Sequence, residues 1–119
     1  MASQKASAAR LVLVTAGSEE QALLIARTLV DERLAACVNL VARVRSIYRW
    51  QGAIEDAREH LLIIKTRAAL YSRVERRVRE LHSYETPEIL SIALDAGDKS
   101  YLQWLFGSTA LATGRGARS

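Results

Sequence analysis

The sequence predicts an α+β fold, a ferredoxin-like β-α-β-β-α-β sandwich with a long hairpin between its second and third strands and a short C-terminal helix. Three observations lead there. A short apolar run, Leu11-Val-Leu-Val14, is followed at once by a helix-capping string, Ser18-Glu-Glu-Gln21. From Cys37 to Trp50 the apolar residues alternate with period two, and after Gln51-Gly52 a second long extended run follows. Then Leu70, Val74, Val78 and Leu81 return to helical spacing, which must end before the single proline, Pro87. Proline fixes its own φ, has no N–H to donate and pushes the preceding residue toward an extended conformation.

Taken in order, Arg10 to Ala16 is rich in Val and Leu and bounded by Gly17 and Ser18, and its continuity predicts a strand buried on both faces. Ser18 then caps a helix with Glu19 and Glu20 in its first turn, where the helix dipole favours acids. Its apolar stripe is Ala22, Ile25, Ala26, Leu29 and Val30, and it ends near Arg33. In the second strand Val38, Leu40, Ala42, Val44, Tyr48 and Trp50 share one parity, while Asn39, Arg43, Arg45 and Arg49 share the other. The return strand runs from Ile54 to Thr66 and is apolar at both parities over Leu61-Leu-Ile-Ile64. A second helix ends near Leu81, Glu88 to Leu94 forms a fourth strand, and Asp98 caps a last helix bearing Tyr101, Leu102, Trp104 and Leu105.

The chain has 119 residues, half of them hydrophobic, which suits one domain with one core. The domain is expected over residues 10–106, with disordered ends at 1–9 and 107–119 that are small, polar and basic. Cys37 is the single cysteine and has no internal disulfide partner. No segment approaches the roughly 18 to 20 apolar residues that cross a bilayer, so a cytoplasmic location and no membrane partner are expected. The net charge of +4 disappears when Lys5, Arg10, Arg115 and Arg118 are set aside, leaving thirteen basic side chains against thirteen acidic ones. A balanced body does not carry the basic stripe of a nucleic-acid binder. RNA-recognition domains share the element order but stack bases on aromatics of their central strands, and Leu61 to Ile64 contains none.

A strand from Cys37 to Trp50 is about 45 Å long at about 3.3 Å per residue, far more than a body of about 13 Å radius of gyration can hold. The hairpin therefore overshoots its own domain, and Tyr48 and Trp50 at its tip, with the two-faced run at Leu61 to Ile64, expose apolar surface that predicts a homo-oligomer. The alternative is a bulge near Ser46 that folds the strands back over the sheet.

Function is expected at His82-Ser-Tyr-Glu-Thr-Pro-Glu88, a polar helix-to-strand corner between apolar runs. Lys65, just after four apolar residues, calls for a carboxylate partner, and Glu88 at the start of the fourth strand is the one expected. Trp50, Tyr84 and Trp104 each join an aromatic body to a polar tip, which suits a cleft between subunits as well as a core edge.

Five strings, in order, resemble the CutA family, the divalent-cation tolerance proteins: Glu32-Arg-Leu-Ala-Ala-Cys37-Val-Asn39, Ser46-Ile-Tyr48-Arg-Trp50-Gln-Gly52, Ile63-Ile-Lys65-Thr66, His82-Ser-Tyr84-Glu-Thr-Pro87-Glu88-Ile and Tyr101-Leu-Gln-Trp104-Leu. They span most of residues 11–106. The resemblance implies a ferredoxin-like subunit assembled as a homotrimer, similar in architecture to the PII signalling proteins, with clefts between subunits for a metal or a small organic ligand. The interface is expected to include Tyr48, Trp50 and Trp104, and the ligand cleft Cys37, Lys65, Tyr84 and Glu88. The cofactor it implies is copper or another divalent cation, with His82 as the metal ligand. Copper-binding members carry a His-His pair where this chain has Leu81-His82 and a cysteine where it has Val14. The expected function is a non-enzymatic response to metal ions. The alternatives are a PII-like protein binding a small organic ligand, and an enzyme using Lys65, Tyr84 and Glu88 at an interface; no Ser-His-Asp set, phosphate loop or metalloenzyme motif supports the enzyme.

Overall fold

The capping signals act as read. Ser18 Oγ accepts from the Gln21 N–H and starts α1 (Glu19–Asp31), and Asp98 accepts from the Tyr101 N–H and starts α3 (Lys99–Gly107). Between them lie β2 (Cys37–Trp50), β3 (Ala53–Arg67), α2 (Tyr71–Leu81) and β4 (Ile89–Ala93), and β1 (Ala9–Ala16) precedes α1. This is a computed structural model, and it describes residues 5–111.

The four strands form one antiparallel sheet in the order β2-β3-β1-β4. Val12, Val14, Leu62 and Ile64 share one face and are fully buried against Ile25 and Leu29 of α1 and Val74 and Val78 of α2. Truncating Leu62 to Ala in such a core commonly costs about 2 to 5 kcal/mol. A smaller cluster of Ala9, Leu102, Leu105 and Phe106 seats α3. Arg67, largely buried, holds its far end by donating to Phe106 O and to Thr109 Oγ1. Burial pulls that guanidinium below its ordinary pKa.

Three expectations change in detail. First, β1 is fully buried at Val12 and Val14, but Leu11 and Leu13 are only half-buried, because α3 covers the other sheet face only at its Ala9 end. Second, the body is wider than residues 10–106: Ala9 is fully buried in β1 and Thr109 is buried against Arg67. Residues 1–4 and 112–119, also expected to be disordered, lie outside the described residues.

Third, β2 does not keep one face. Val41 pairs with Leu61 and Val44 with Glu59, so three steps on β2 oppose two on β3. That is a bulge, and Arg43 takes up the extra residue with φ 64, in the left-handed region. Val38 and Leu40 point toward the helices, but beyond the bulge Val44, Tyr48 and Trp50 point to the opposite face, although the sequence alternation runs on unbroken. The bulge lies before Ser46 and does not fold the hairpin back. Pairing continues to Trp50 and Ala53, and a turn with both Gln51 (φ 50) and Gly52 (φ 84) left-handed matches the twist of the strands. The subunit is accordingly elongated, 53 × 30 × 22 Å with a radius of gyration of 15.1 Å.

Candidate functional site

The uncovered sheet face carries two different surfaces. Across β1, β3 and β4 it is apolar: Leu11 lies beside Ile92, Leu13 beside Leu90, and Ile63 on the other side of Leu13. Leu90 and Ile92 are 56% and 46% exposed. Toward the hairpin the surface becomes a cleft of about 620 Å³ lined by Ser46, Tyr48, Trp50, Glu59, Tyr84 and Glu88 among others. That is an ordinary size for a small-molecule site.

The corner at His82 to Glu88 is fixed by contacts from three elements. Gln21 of α1 donates from Nε2 to Leu81 O at the end of α2 and accepts the Ser83 N–H, so one side chain closes the helix and starts the loop. His82, largely buried, donates from Nε2 to Thr15 O on β1 at 2.7 Å and accepts the Tyr84 N–H at Nδ1 at 3.0 Å. A carbonyl can only accept, which fixes the tautomer with its proton on Nε2. The Tyr84 ring packs on the imidazole at 4.6 Å between centroids, and its hydroxyl donates to Glu59 Oε2 at 2.8 Å. Gly17 leaves room for that hydroxyl, since a Cβ there would lie 2.8 Å from it.

Electrostatics follow burial. Glu59 is 6% exposed, a carboxylate taken almost wholly out of water. Desolvation, then the bond to Glu59, pushes the Tyr84 phenol up to about 12, so it stays a donor through the physiological range. Burial and then the charge of Glu59 hold the Glu88 carboxyl above its ordinary value. No arginine, lysine or histidine among the described residues lines the cleft.

The four expected cleft residues separate into two pairs. Tyr84 and Glu88 line the cleft, whereas Cys37 and Lys65 face one another across β2 and β3 at the other end of the sheet. Lys65 is six residues from Glu59 along β3, about 20 Å at about 3.3 Å per residue. Within one subunit the expected Lys65–Glu88 pair is therefore not formed. The Lys65 ammonium instead lies 5.7 Å from the centroid of the Tyr101 ring, a cation–π contact that explains how it is tolerated beside an apolar strand. The structure puts Tyr48 and Trp50 on the uncovered face of the hairpin, each 43% exposed, and Trp104 on α3 tilted against Tyr101 at 5.4 Å.

Copper fits poorly at His82. Both ring nitrogens are already bonded, and a metal ion would have to displace Thr15 or Tyr84. Cys37 sits with Lys65 at the far end of the sheet, and the described residues contain no group of three His, Cys, Asp or Glu placed to hold an ion. Sequence reasoning missed Glu59, the residue on which the cleft is organised. A signal existed: Glu59 shares parity with Leu61 and Ile63, so a carboxylate is carried onto an apolar face.

Comparison with known proteins agrees with the geometry. The family described as CutA1 divalent ion tolerance protein matches residues 10–108. The chain is 46% identical over 99 residues to the divalent-cation tolerance protein CutA of Thermus thermophilus, covering 83% of this chain and 96% of that one. It is 39% identical to the chloroplastic protein CutA of Arabidopsis thaliana over 83% of this chain and 54% of the other, so it spans about half the length of that plant relative. The solved Thermus structure superposes with a TM-score of 0.83 over 85% of this chain and 98% of that one. A structure described as the periplasmic divalent cation tolerance protein CutA of Archaeoglobus fulgidus, 38% identical, gives 0.82 over 84% and 97%.

Proposed function

The chain belongs to the CutA1 divalent ion tolerance protein family, and on that premise we propose that it works as a homotrimer in the response to divalent cations, binding a small ligand in the cleft beside its long hairpin. One observation carries the assembly: the uncovered sheet face, where Leu11, Leu13, Ile63, Leu90 and Ile92 form a continuous apolar surface with no layer over it. Contiguous exposed apolar surface marks an interaction site, and a second copy of the chain is the occupant read here. Tyr48 and Trp50 continue the same face along the hairpin, and Trp104 borders it from α3 beside Lys65 and Tyr101.

Two routes connect such a trimer to metal ions. Direct copper binding, with His82 as ligand, requires the imidazole to give up Thr15 or Tyr84 and to find soft partners outside the subunit. The PII-like route, in which an organic ligand occupies the cleft, is favoured by the cleft itself: aromatic walls, a buried carboxylate and a phenol held as a donor. We read the protein as a binding protein rather than an enzyme, in keeping with the tolerance-protein names of its relatives. A reducing, cytoplasmic compartment suits the single Cys37, which has no second cysteine to pair with. Native mass spectrometry with and without copper and zinc tests both parts together: the reading predicts three chains in every spectrum and no stoichiometric copper dependent on His82.

A further inference from the structure

We propose that the cleft takes a small organic cation, a primary amine on an aromatic or apolar body, with Glu59 and Glu88 receiving the ammonium and Tyr48, Trp50 and Tyr84 enclosing the body. This deepens the small-ligand reading above and rests on it.

Glu59 carries the argument. It is more than nine-tenths buried, it lines the cleft, and only its Oε2 is bonded, to Tyr84. Its Oε1 has no hydrogen-bond partner among the described residues. A carboxylate withdrawn from water without a counter-charge is costly, and buried charges are found paired. Here the other acidic groups of the lining are two more carboxylates, Glu85 and Glu88, and the lining includes no basic side chain. The missing partner is a cation.

The shape of the space selects its class. A bare metal ion fills a small fraction of about 620 Å³, and the described residues do not gather three metal-ligating side chains. An ammonium has three donors, matching Glu59 Oε1, Glu88 and a hydroxyl such as that of Tyr48 or Ser46. Aromatic faces around a cation add attraction through their π electrons and give an apolar body a wall to pack on. An anionic ligand meets three like charges, Glu59, Glu85 and Glu88, and no base.

Calorimetric titration of the full chain with 2-phenylethylamine and with its neutral counterpart 2-phenylethanol tests this, with sedimentation run on the same samples. The expected result is saturable amine binding at least about tenfold tighter than the alcohol, a preference reduced to near zero in Glu59→Gln, since tenfold corresponds to about 1.4 kcal/mol. Glu88→Gln gives a second reading should Glu59→Gln fold poorly, and it too is expected to weaken the amine. Equal affinity for amine and alcohol, or no amine binding by a folded trimer, overturns the proposal while leaving the assembly reading in place. A monomer that still prefers the amine does the reverse. Amine binding that appears only in Lys65→Ala identifies a neighbouring subunit's ammonium as the occupant and also overturns it.

Discussion

The Tyr84 hydroxyl donates to Glu59 Oε2 at 2.8 Å, and this bond joins a loop residue to a strand residue 25 positions away across the floor of the cleft. Behind it stands His82, which takes the Tyr84 N–H and is itself anchored on Thr15 O. The histidine that copper chemistry would claim thus orients the tyrosine.

Replacing Tyr84 with Phe leaves the ring in place and removes the only hydrogen bond to the Glu59 side chain among the described residues. A bond to a charged group contributes about 1.5 to 3 kcal/mol, so urea unfolding of Tyr84→Phe is expected to show a loss of that order. The alkaline limb should change as well. The folded phenol is held up to about 12 against about 10 in the unfolded chain, so its contribution is complete below about pH 10 and is lost as pH rises through about 12. Tyr84→Phe should flatten the decline in stability across that window, and an unchanged alkaline limb would separate the two groups.

Gly17→Ala tests the same contact from the other side. Its Cβ would lie 2.8 Å from the Tyr84 hydroxyl, closer than real contacts allow, so the ring must move off Glu59. The variant should fold, weaken amine binding and reproduce the alkaline change of Tyr84→Phe. Wild-type behaviour in both assays would show that the hydroxyl is not confined there.

Glu88→Gln is expected to stabilise the unliganded protein at neutral pH. Burial and the charge of Glu59 raise the folded carboxyl above its unfolded value, so the contribution of Glu88 is most favourable below about pH 4.3 and is lost as pH rises through the folded value. Glutamine removes that loss. Thermal unfolding should show a higher Tm than wild type at pH 7, with the difference closing near pH 4; a lower Tm at pH 7 would mean that Glu88 has a cationic partner in the assembly.

Much of this fold was legible beforehand. Ser18 and Asp98 announced their helices and Gln51-Gly52 turned the hairpin, because each acts through local backbone chemistry. What escaped was set by tertiary register. Arg43 has no sequence mark of a left-handed residue, yet its bulge moves Val44, Tyr48 and Trp50 to the face opposite Val38 and Leu40. The separation of Lys65 from Glu88 depends on strand pairing in the same way. Tyr84 and Glu88, from one contiguous loop, line the same cleft of the subunit, whereas Glu59 is brought to it from another strand and no local pattern pairs it with them.

Copper should not distinguish wild type from His82→Ala. Both imidazole nitrogens are committed, so any copper is expected at other groups, and calorimetry should give equal affinity while His82→Ala lowers stability through the lost Thr15 and Tyr84 contacts. Copper binding abolished by His82→Ala with the trimer intact would return the metal to His82.

The central claim, a trimer closed over the bare sheet face, is tested most directly by sedimentation equilibrium of wild type and Ile92→Asp at micromolar concentration. Ile92 is 46% exposed in the subunit, so an aspartate there leaves the subunit core untouched. The account predicts three chains for wild type and one folded chain for Ile92→Asp, whereas a monomeric wild type, or a variant that remains a trimer, would contradict it.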